Sequence, residues 1–418
     1  MIMKEIRDPI HGFIYLNDWE LAIIDTPAFQ RLRRIGQLGF TNMVYPSACH
    51  SRFEHSLGVM HVATRMYERI VECSRSYLKD ELKFSDDDLE RDKVIVRLAA
   101  LLHDIGHSPF SHSGEIFMPE KPGEENKYKH EDYSAAIIES ELKEVIEKHP
   151  MNEKYNIKAS EISALLQGSS EIGRTILWRD LITSHLDADR ADYLLRDSYH
   201  IGVKYGQFDL DRLINCLRVV RTHDTGLPII AVNKGGIQVA ESLIISRYMM
   251  FTQVYYHHTR RAYDILVNDI LKEFLNGGCF PPPDKEGIKI YLDLDDWKIF
   301  EWLAATDNKW MEIITKRNHY RVIFETHDTP DIEEIYKCEN ILLELENHGI
   351  DARLDEPERS WYQSGKEEIM IIEDDYCSPL SGLSSIVKGL RFLSKKRIYG
   401  PSEERELSKK IIKEITGK

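Results

Sequence analysis

The run RLAALLHDIGHSPFSH, Arg97 to His112, constrains this chain more than any other stretch. From Val94 to Leu102 it is apolar on nearly every side, as expected of a helix with no solvent face. It then passes directly into His103 and Asp104 and, after Gly106, into His107 and His112. Gly106 and Pro109 are expected to terminate the helix. A buried rod ending in imidazoles and a carboxylate must find partners for them, because an unpaired carboxylate in an apolar setting is costly. For the His-Asp dipeptide alone, a hydrogen-bonded pair capping the helix meets that need as well as a bound ligand does.

The flanking sequence builds a helical frame. From about Asp18 to Ile270 apolar residues recur at three- and four-residue spacing, as at Leu57, Met60, Ala63, Met66, Tyr67, Ile70 and Val71. Two polar stretches, KFSDDDLERDK and MPEKPGEENKYKH, are expected to interrupt this frame, the first before the apolar helix and the second as an exposed loop. GLPIIAVNKGGIQVAESLIISRYMM reads as a short strand, a glycine turn and a helix. At NGGCFPPPD the helical pattern breaks on glycines and prolines. Beyond it, YRVIFET and EEIMIIE read as strands and DIEEIYKCENILLELENHG as an amphipathic helix. The expected fold is mainly α: a helical catalytic core over residues 1–280, followed over 281–418 by a smaller α/β appendage suited to oligomerisation.

Charge and composition narrow the function. Of 418 residues, 55 are Lys or Arg and 70 Asp or Glu, and the net charge of -15 repels a duplex nucleic acid while leaving room for a small anion held by a local arginine cluster. Six scattered cysteines without a C-x-x-C pair are expected to be reduced thiols. No secretory leader or membrane-spanning run is apparent, so the expected setting is cytoplasmic, with no membrane partner.

Other acids and imidazoles join the dipeptide. SRFEHSLG places His55 on a helix face with Val59, Val62 and Met66, where a lone histidine is usually core filler. LDADRADYLLRD carries Asp187, Asp189, Asp192 and Asp197 within eleven residues, a density usual for a solvated face. Helical spacing, however, puts Asp189, Tyr193 and Arg196 on one face, directed into one cleft. Imidazole nitrogen with carboxylate oxygen suits a divalent metal, whether Mg, Mn, Fe, Ni or Zn, and His55, His103, Asp104 and Asp189 can form such a set.

RFEHSLG, HDIGHSPFSH, KHED and LDADRADYLLRD, in that order, resemble the HD-domain phosphohydrolases, and within them the deoxynucleoside triphosphate triphosphohydrolase (dNTPase) branch. The likeness runs from Ile6 to Asn268 and more loosely through the appendage. It implies an HD-domain helical core and the same four metal ligands. It also implies a catalytic group of His107, His112, Glu115 and His130, with His112 as proton donor to the leaving oxygen and His130 assisting. Glu115, implied as the orienter of a histidine, stands where the family carries an aspartate. Implied substrate contacts are Arg52, Arg190 and Arg247, with Tyr193 and Tyr255, for phosphates and sugar, Tyr255 packing against the deoxyribose edge and leaving no room for a 2'-hydroxyl; Gln37 and Leu38 at the base; and Asp197 as a further contact. The implied reaction converts a dNTP into a deoxynucleoside and inorganic triphosphate.

Some relatives are oligomers activated by nucleotides. The resemblance matches Asp25 and Arg33 to a guanine-reading pair, which makes GTP or a dNTP an expected activator and a homodimer or homotetramer the expected assembly. A helix-capping aspartate and an ordinary surface arginine explain the same two residues equally well. An HD phosphohydrolase acting on a monophosphate, cyclic or signalling nucleotide is the alternative enzyme, against which the phosphate-binding arginines argue. A nucleotide-binding regulator without turnover is a third reading, against which the intact ligand set argues.

Overall fold

In the computed structural model, residues 3–222, 226–305, 308–356, 368–373, 376–390 and 393–417 are described. Two long helices form the frame around which the rest packs. Helix α1 (Arg52–Cys73) is preceded by Ser51, whose backbone N–H donates to the Glu54 carboxylate (3.0 Å) in a capping box. Its inner face is buried from Phe53 to Ile70. Helix α2 (Asp86–Leu102) packs along α1, with Val96, Leu98, Ala99, Leu101 and Leu102 each at most 1% exposed. Each such leucine or valine contributes roughly 1.5–3 kcal/mol of apolar burial.

The start of α2 corrects the reading of KFSDDDLERDK as an interruption, since Asp86–Lys93 is the helix's own first half. The Ser85 hydroxyl accepts from the Asp88 N–H and the Asp88 carboxylate accepts from the Ser85 N–H (2.8 Å), while three aspartates in the first turn suit the positive end of the helix dipole. The end of α2 brings a second correction. The helix stops at Leu102, with His103 as its cap, before Gly106 is reached. Gly106 has a different duty: a Cβ there would lie 2.3 Å from the His130 carbonyl and the Ser134 N–H, so glycine lets the turn lie flush on helix α3 (His130–Glu139).

Helix α4 (Ala188–Ile201), N-capped by Asp187, crosses α1, and helices α5 (Ile237–Met250) and α6 (His258–Phe274) close the bundle. The expected strand, turn and helix at GLPIIAVNKGG are present as β4 (Pro228–Asn233), a single 3-10 turn and α5. Within MPEKPGEENKYKH residues 122–127 are exposed, as expected of a loop, while Met118 is buried and His130 opens α3.

The sheets are small. β1 (Lys4–Asp8) and β2 (Gly12–Leu16) form an antiparallel hairpin. β3 (Leu217–Arg221) and β4 join β7 (Met370–Glu373) and β8 (Tyr376–Pro379) in the order β3-β4-β7-β8, parallel only between β4 and β7. β5 (Arg321–Glu325), β9 (Arg397–Gly400) and β6 (Arg353–Asp355) form an antiparallel sheet ordered β5-β9-β6. Helices α8 (Ile332–Asn347) and α9 (Arg405–Thr416) pack together beside it over a small core that includes Cys338, Ile341, Leu345 and Ile411. The fold is therefore mainly α, as expected. Phe280, Ile288, Tyr291 and, from helix α7 (Asp296–Ala305), Ile299 and Leu303 belong to the main core, so the chain on both sides of residue 280 shares one interior. Among the described residues no helix is long and apolar enough to cross a membrane.

Candidate functional site

The end of α2 meets α1, α4 and the start of α3, and there the singled-out residues converge. His103 Nδ1–H donates to the Ala100 carbonyl (2.8 Å), which leaves Nε2 as a lone pair facing forward. That nitrogen is buried and makes no hydrogen bond with the described residues. His55 is held the same way from behind, its Nδ1 against Asp192 Oδ2 (2.8 Å) and its Nε2 against Asp189 Oδ1 (3.0 Å). Asp104 places Oδ1 3.3 Å from His103 Nε2 and Oδ2 3.6 Å from His55 Nε2, while Asp189 Oδ1 is 3.8 Å from His103 Nε2.

An ion with bonds of about 2.1 Å separates neighbouring ligands by about 3.0–3.4 Å. The four side chains are spaced close to that, and the donor set fits a divalent cation. Electrostatics agree. Burial pushes His55 down, but hydrogen bonds to Asp189 and Asp192 outweigh it and carry the imidazole up to about 10, so this is a place that favours positive charge.

A second group shares Asp104. His107 Nε2 lies 3.3 Å from Asp104 Oδ1, and the His107 ring stacks on His130 with centroids 3.9 Å apart. One oxygen of Glu115 meets both His112 Nδ1 (2.7 Å) and His130 Nδ1 (2.8 Å). The longer glutamate thus orients two rings at once. Burial opposes its ionisation, but the two imidazoles hold its carboxyl far below the usual range. The His112 side chain is 51% exposed, the most open of the four.

The turn carrying this group is strained. Phe110 and Ser111 are both left-handed, each with φ 58°, at a cost of order 1–3 kcal/mol apiece. Four contacts hold the pair there. Phe110 N–H donates to Asp296 Oδ1 of α7 (2.7 Å), and Ser108 Oγ donates to the Ser111 carbonyl (2.8 Å). Ser111 Oγ donates to the Gly36 carbonyl (2.7 Å) and accepts from Arg52 Nε (2.9 Å).

Two models of known families match the chain: the HD domain over residues 52–197 and the HD associated region over 208–415. An uncharacterised protein of Methanocaldococcus jannaschii is 35% identical over all of this chain and 83% of its own length. The chain belongs to the HD-domain phosphohydrolase family. A deoxynucleoside triphosphate triphosphohydrolase SAMHD1 homolog of Dictyostelium discoideum is 30% identical to this HD protein over 84% of the chain. The HD protein spans only 60% of that relative. A crystal structure of a hypothetical protein from Aquifex aeolicus aligns with a TM-score of 0.80 at 31% identity, covering 98% of this chain and 100% of that one.

Several residues expected to contact substrate in the HD protein lie beside this group or pair with one another. Arg52 pairs with Asp104 Oδ2, so it touches the metal set itself. Arg190 is tied to Asp187 and to the Ser184 carbonyl, with its Nε buried and unbonded among the described residues. Arg247 stands 3.4 Å from His185 Nδ1, close enough to Arg190 and Asp189 to feel their charges, and burial pushes its guanidinium down. Tyr193 and Tyr255 meet edge to face at 6.2 Å, and the Tyr255 hydroxyl donates to Asp197 Oδ2 (2.6 Å). Gln37 is buried with an unbonded Oε1, beside the partly buried Leu38. Asp25 and Arg33 lie exposed on the surface; Arg33 donates to Gln30 and lies over the Phe53 ring at 3.5 Å.

One expectation of geometry fails. Arg196 does not enter the cleft with Asp189 and Tyr193; it is fully buried, gripping Asp192 with Nε and Nη2 (2.8 and 2.9 Å) and Asp8 with Nη1 (2.8 Å). Arg196 lies four residues after Asp192, so a helix brings these two together as readily as it aligns Arg196 with Tyr193. Asp192 is the residue that spacing missed. It orients His55, takes His11 Nε2 at 2.6 Å and sits so close to α1 that a Cβ on Gly58 would fall 1.9 Å from its Oδ1. The glycine of EHSLG was the available signal.

Proposed function

We propose that the HD protein is a metal-dependent dNTPase that releases inorganic triphosphate and a deoxynucleoside. The observation that carries this reading is Asp104, a single carboxylate shared by a metal-type donor set and a histidine group suited to moving a proton. His55, His103, Asp104 and Asp189 would hold the cation, which when bound supplies charge neutralisation on phosphate oxygen and activation of water. Arg52, Arg190 and Arg247 bind the phosphate tail, which an acidic protein needs local cations to hold. Water oxygen bonds to the α-phosphorus and releases a proton to solvent, the bond from phosphorus to the 5'-oxygen breaks, and His112 gives its proton to that departing oxygen. Glu115 keeps the His112 ring directed and His130 replenishes the proton. Tyr193, Tyr255 and Asp197 enclose the sugar, and Gln37 and Leu38 meet the base. Asp25 and Arg33 form the activator site of a homo-oligomer, so rate should rise sigmoidally with added GTP or dNTP.

The test is product identity. Purified protein is incubated with each dNTP and NTP, singly and in mixtures, with Mg, Mn or Fe, and the products are resolved by ion exchange. Inorganic triphosphate from dNTPs is the expected result. Release of orthophosphate or pyrophosphate, or nucleotide binding without turnover under every metal, overturns it.

A further inference from the structure

His50 belongs to neither group described above, yet it touches much of what forms the sugar and base end of the cleft. It is 3% exposed. Its Nε2 donates to Asp197 Oδ1 (2.8 Å), while the other oxygen of that carboxylate accepts from Tyr255 (2.6 Å). Its backbone carbonyl accepts from the Gln37 N–H (3.0 Å), and the Gly36–Ser51 bridge and the bond from Arg52 N–H to the Ile35 carbonyl (3.0 Å) continue that pairing on either side. From behind, the ring stacks on His200 with centroids 4.4 Å apart and planes 14° from parallel. Its Nδ1 is buried without a hydrogen-bond partner among the described residues.

A buried imidazole with one nitrogen unsatisfied is a cost that packing alone does not explain. What the ring achieves is geometric. A carboxylate with a single donor can swing about its bond to Cβ; Asp197 receives a donor on each oxygen and is fixed. Fixing Asp197 fixes the Tyr255 hydroxyl, and with it the wall that the proposed function sets against the deoxyribose edge. We infer that His50 is a positioning residue for sugar discrimination, acting through Asp197 on Tyr255 and through its own carbonyl on Gln37. This rests on the proposed function for the identity of the substrate, though not for the existence of the chain of contacts.

The test compares His50→Phe, which keeps a ring against His200 but offers Asp197 no donor, with His50→Gln, which restores an N–H. The preference for a deoxynucleoside over the matching ribonucleoside triphosphate is measured twice, as a ratio of kcat/KM and as a ratio of Kd by equilibrium dialysis. Metal content and melting temperature accompany both. A site that loses a hydrogen-bonded wall discriminates less, so His50→Phe should lower the preference by about tenfold with metal retained, and His50→Gln should return it to within about threefold of wild type. Tyr255→Phe, which cuts the same chain at its other end, should lower it likewise and decides the matter if His50→Phe does not fold. An unchanged preference in whichever of the two is folded overturns the inference, as does failure of His50→Gln to restore it. If wild type binds nucleotide without releasing triphosphate, the activity falls and the Kd ratio alone judges His50; if wild type binds neither sugar form, both fall.

Discussion

Helix α2 carries a buried aspartate near its start and runs into another just past its end, and the two have opposite characters. Asp92 is 3% exposed and Asp104 4%. Among the described residues Asp92 receives only neutral donors, Trp178 Nε1 (2.9 Å) and Thr175 Oγ1 (3.0 Å), and burial pushes its carboxyl up to about 6. For Asp104 burial pushes the same way, but Arg52, His103 and His107 outweigh it and hold the carboxyl well below the ordinary range. Equal burial therefore permits opposite ionisation, and the company of cations decides between them.

The contrast can be tested by removing each partner set. The largest effect is expected at the cationic end: His103→Ala or Asp104→Asn should lose bound metal, measured by elemental analysis, and lower turnover by about a thousandfold or more. In metal-free protein Asp104→Asn should also cost about 3–5 kcal/mol in urea unfolding, since Arg52 is left buried without its counter-charge. Retained metal in either variant would break the ligand assignment. His112→Ala is expected to keep metal and thermal stability while turnover falls by about 10²–10⁴. Gly58→Ala should cost about 1–3 kcal/mol, read as a lower melting temperature, because its methyl group displaces Asp192.

The neutral end predicts an effect of the opposite sign. The folded pKa of Asp92 lies above its unfolded value of 3.8, so the fold favours the protonated form. Its contribution to stability is fully present below about pH 3.8 and is lost as pH rises through about 6. Asp92→Asn cannot ionise, and it can still accept from Trp178 while donating to Thr175. It should raise stability at pH 8 by up to about 3 kcal/mol, with the gain gone near pH 4. Melting curves at the two pH values measure this, and an equal shift at both would break the comparison.

How far these ends were legible from sequence follows the same physics. The apolar run and the His-Asp pair after it point to a buried post with ligands at its tip, and the ordered motifs point to their partners in α1 and α4. Asp92 was hidden because SDDDLERDK looks like a loop, although acids with a serine cap are also how a helix begins. Arg196 was misdirected because four-residue spacing permits two alignments, and the choice depends on Asp8 in a distant hairpin. His50 gave no sign in SACHSR, since its partners lie 147 residues away in Asp197 and, through that carboxylate, in Tyr255. Local periodicity encodes which face a side chain occupies; it does not encode what another segment brings to that face.

The carboxylate of Asp296 accepts from Gly36 N–H (2.8 Å) as well as from Phe110 N–H. One side chain of α7 therefore clasps both the strand-like segment behind Gln37 and the left-handed turn that precedes His112. A fragment ending at Phe280 would keep every motif residue but forfeit this clasp, leaving two amides unanswered, that of Phe110 buried, and the turn free to relax. The geometry of the candidate site in the first part of the chain is, in this sense, on loan from the last.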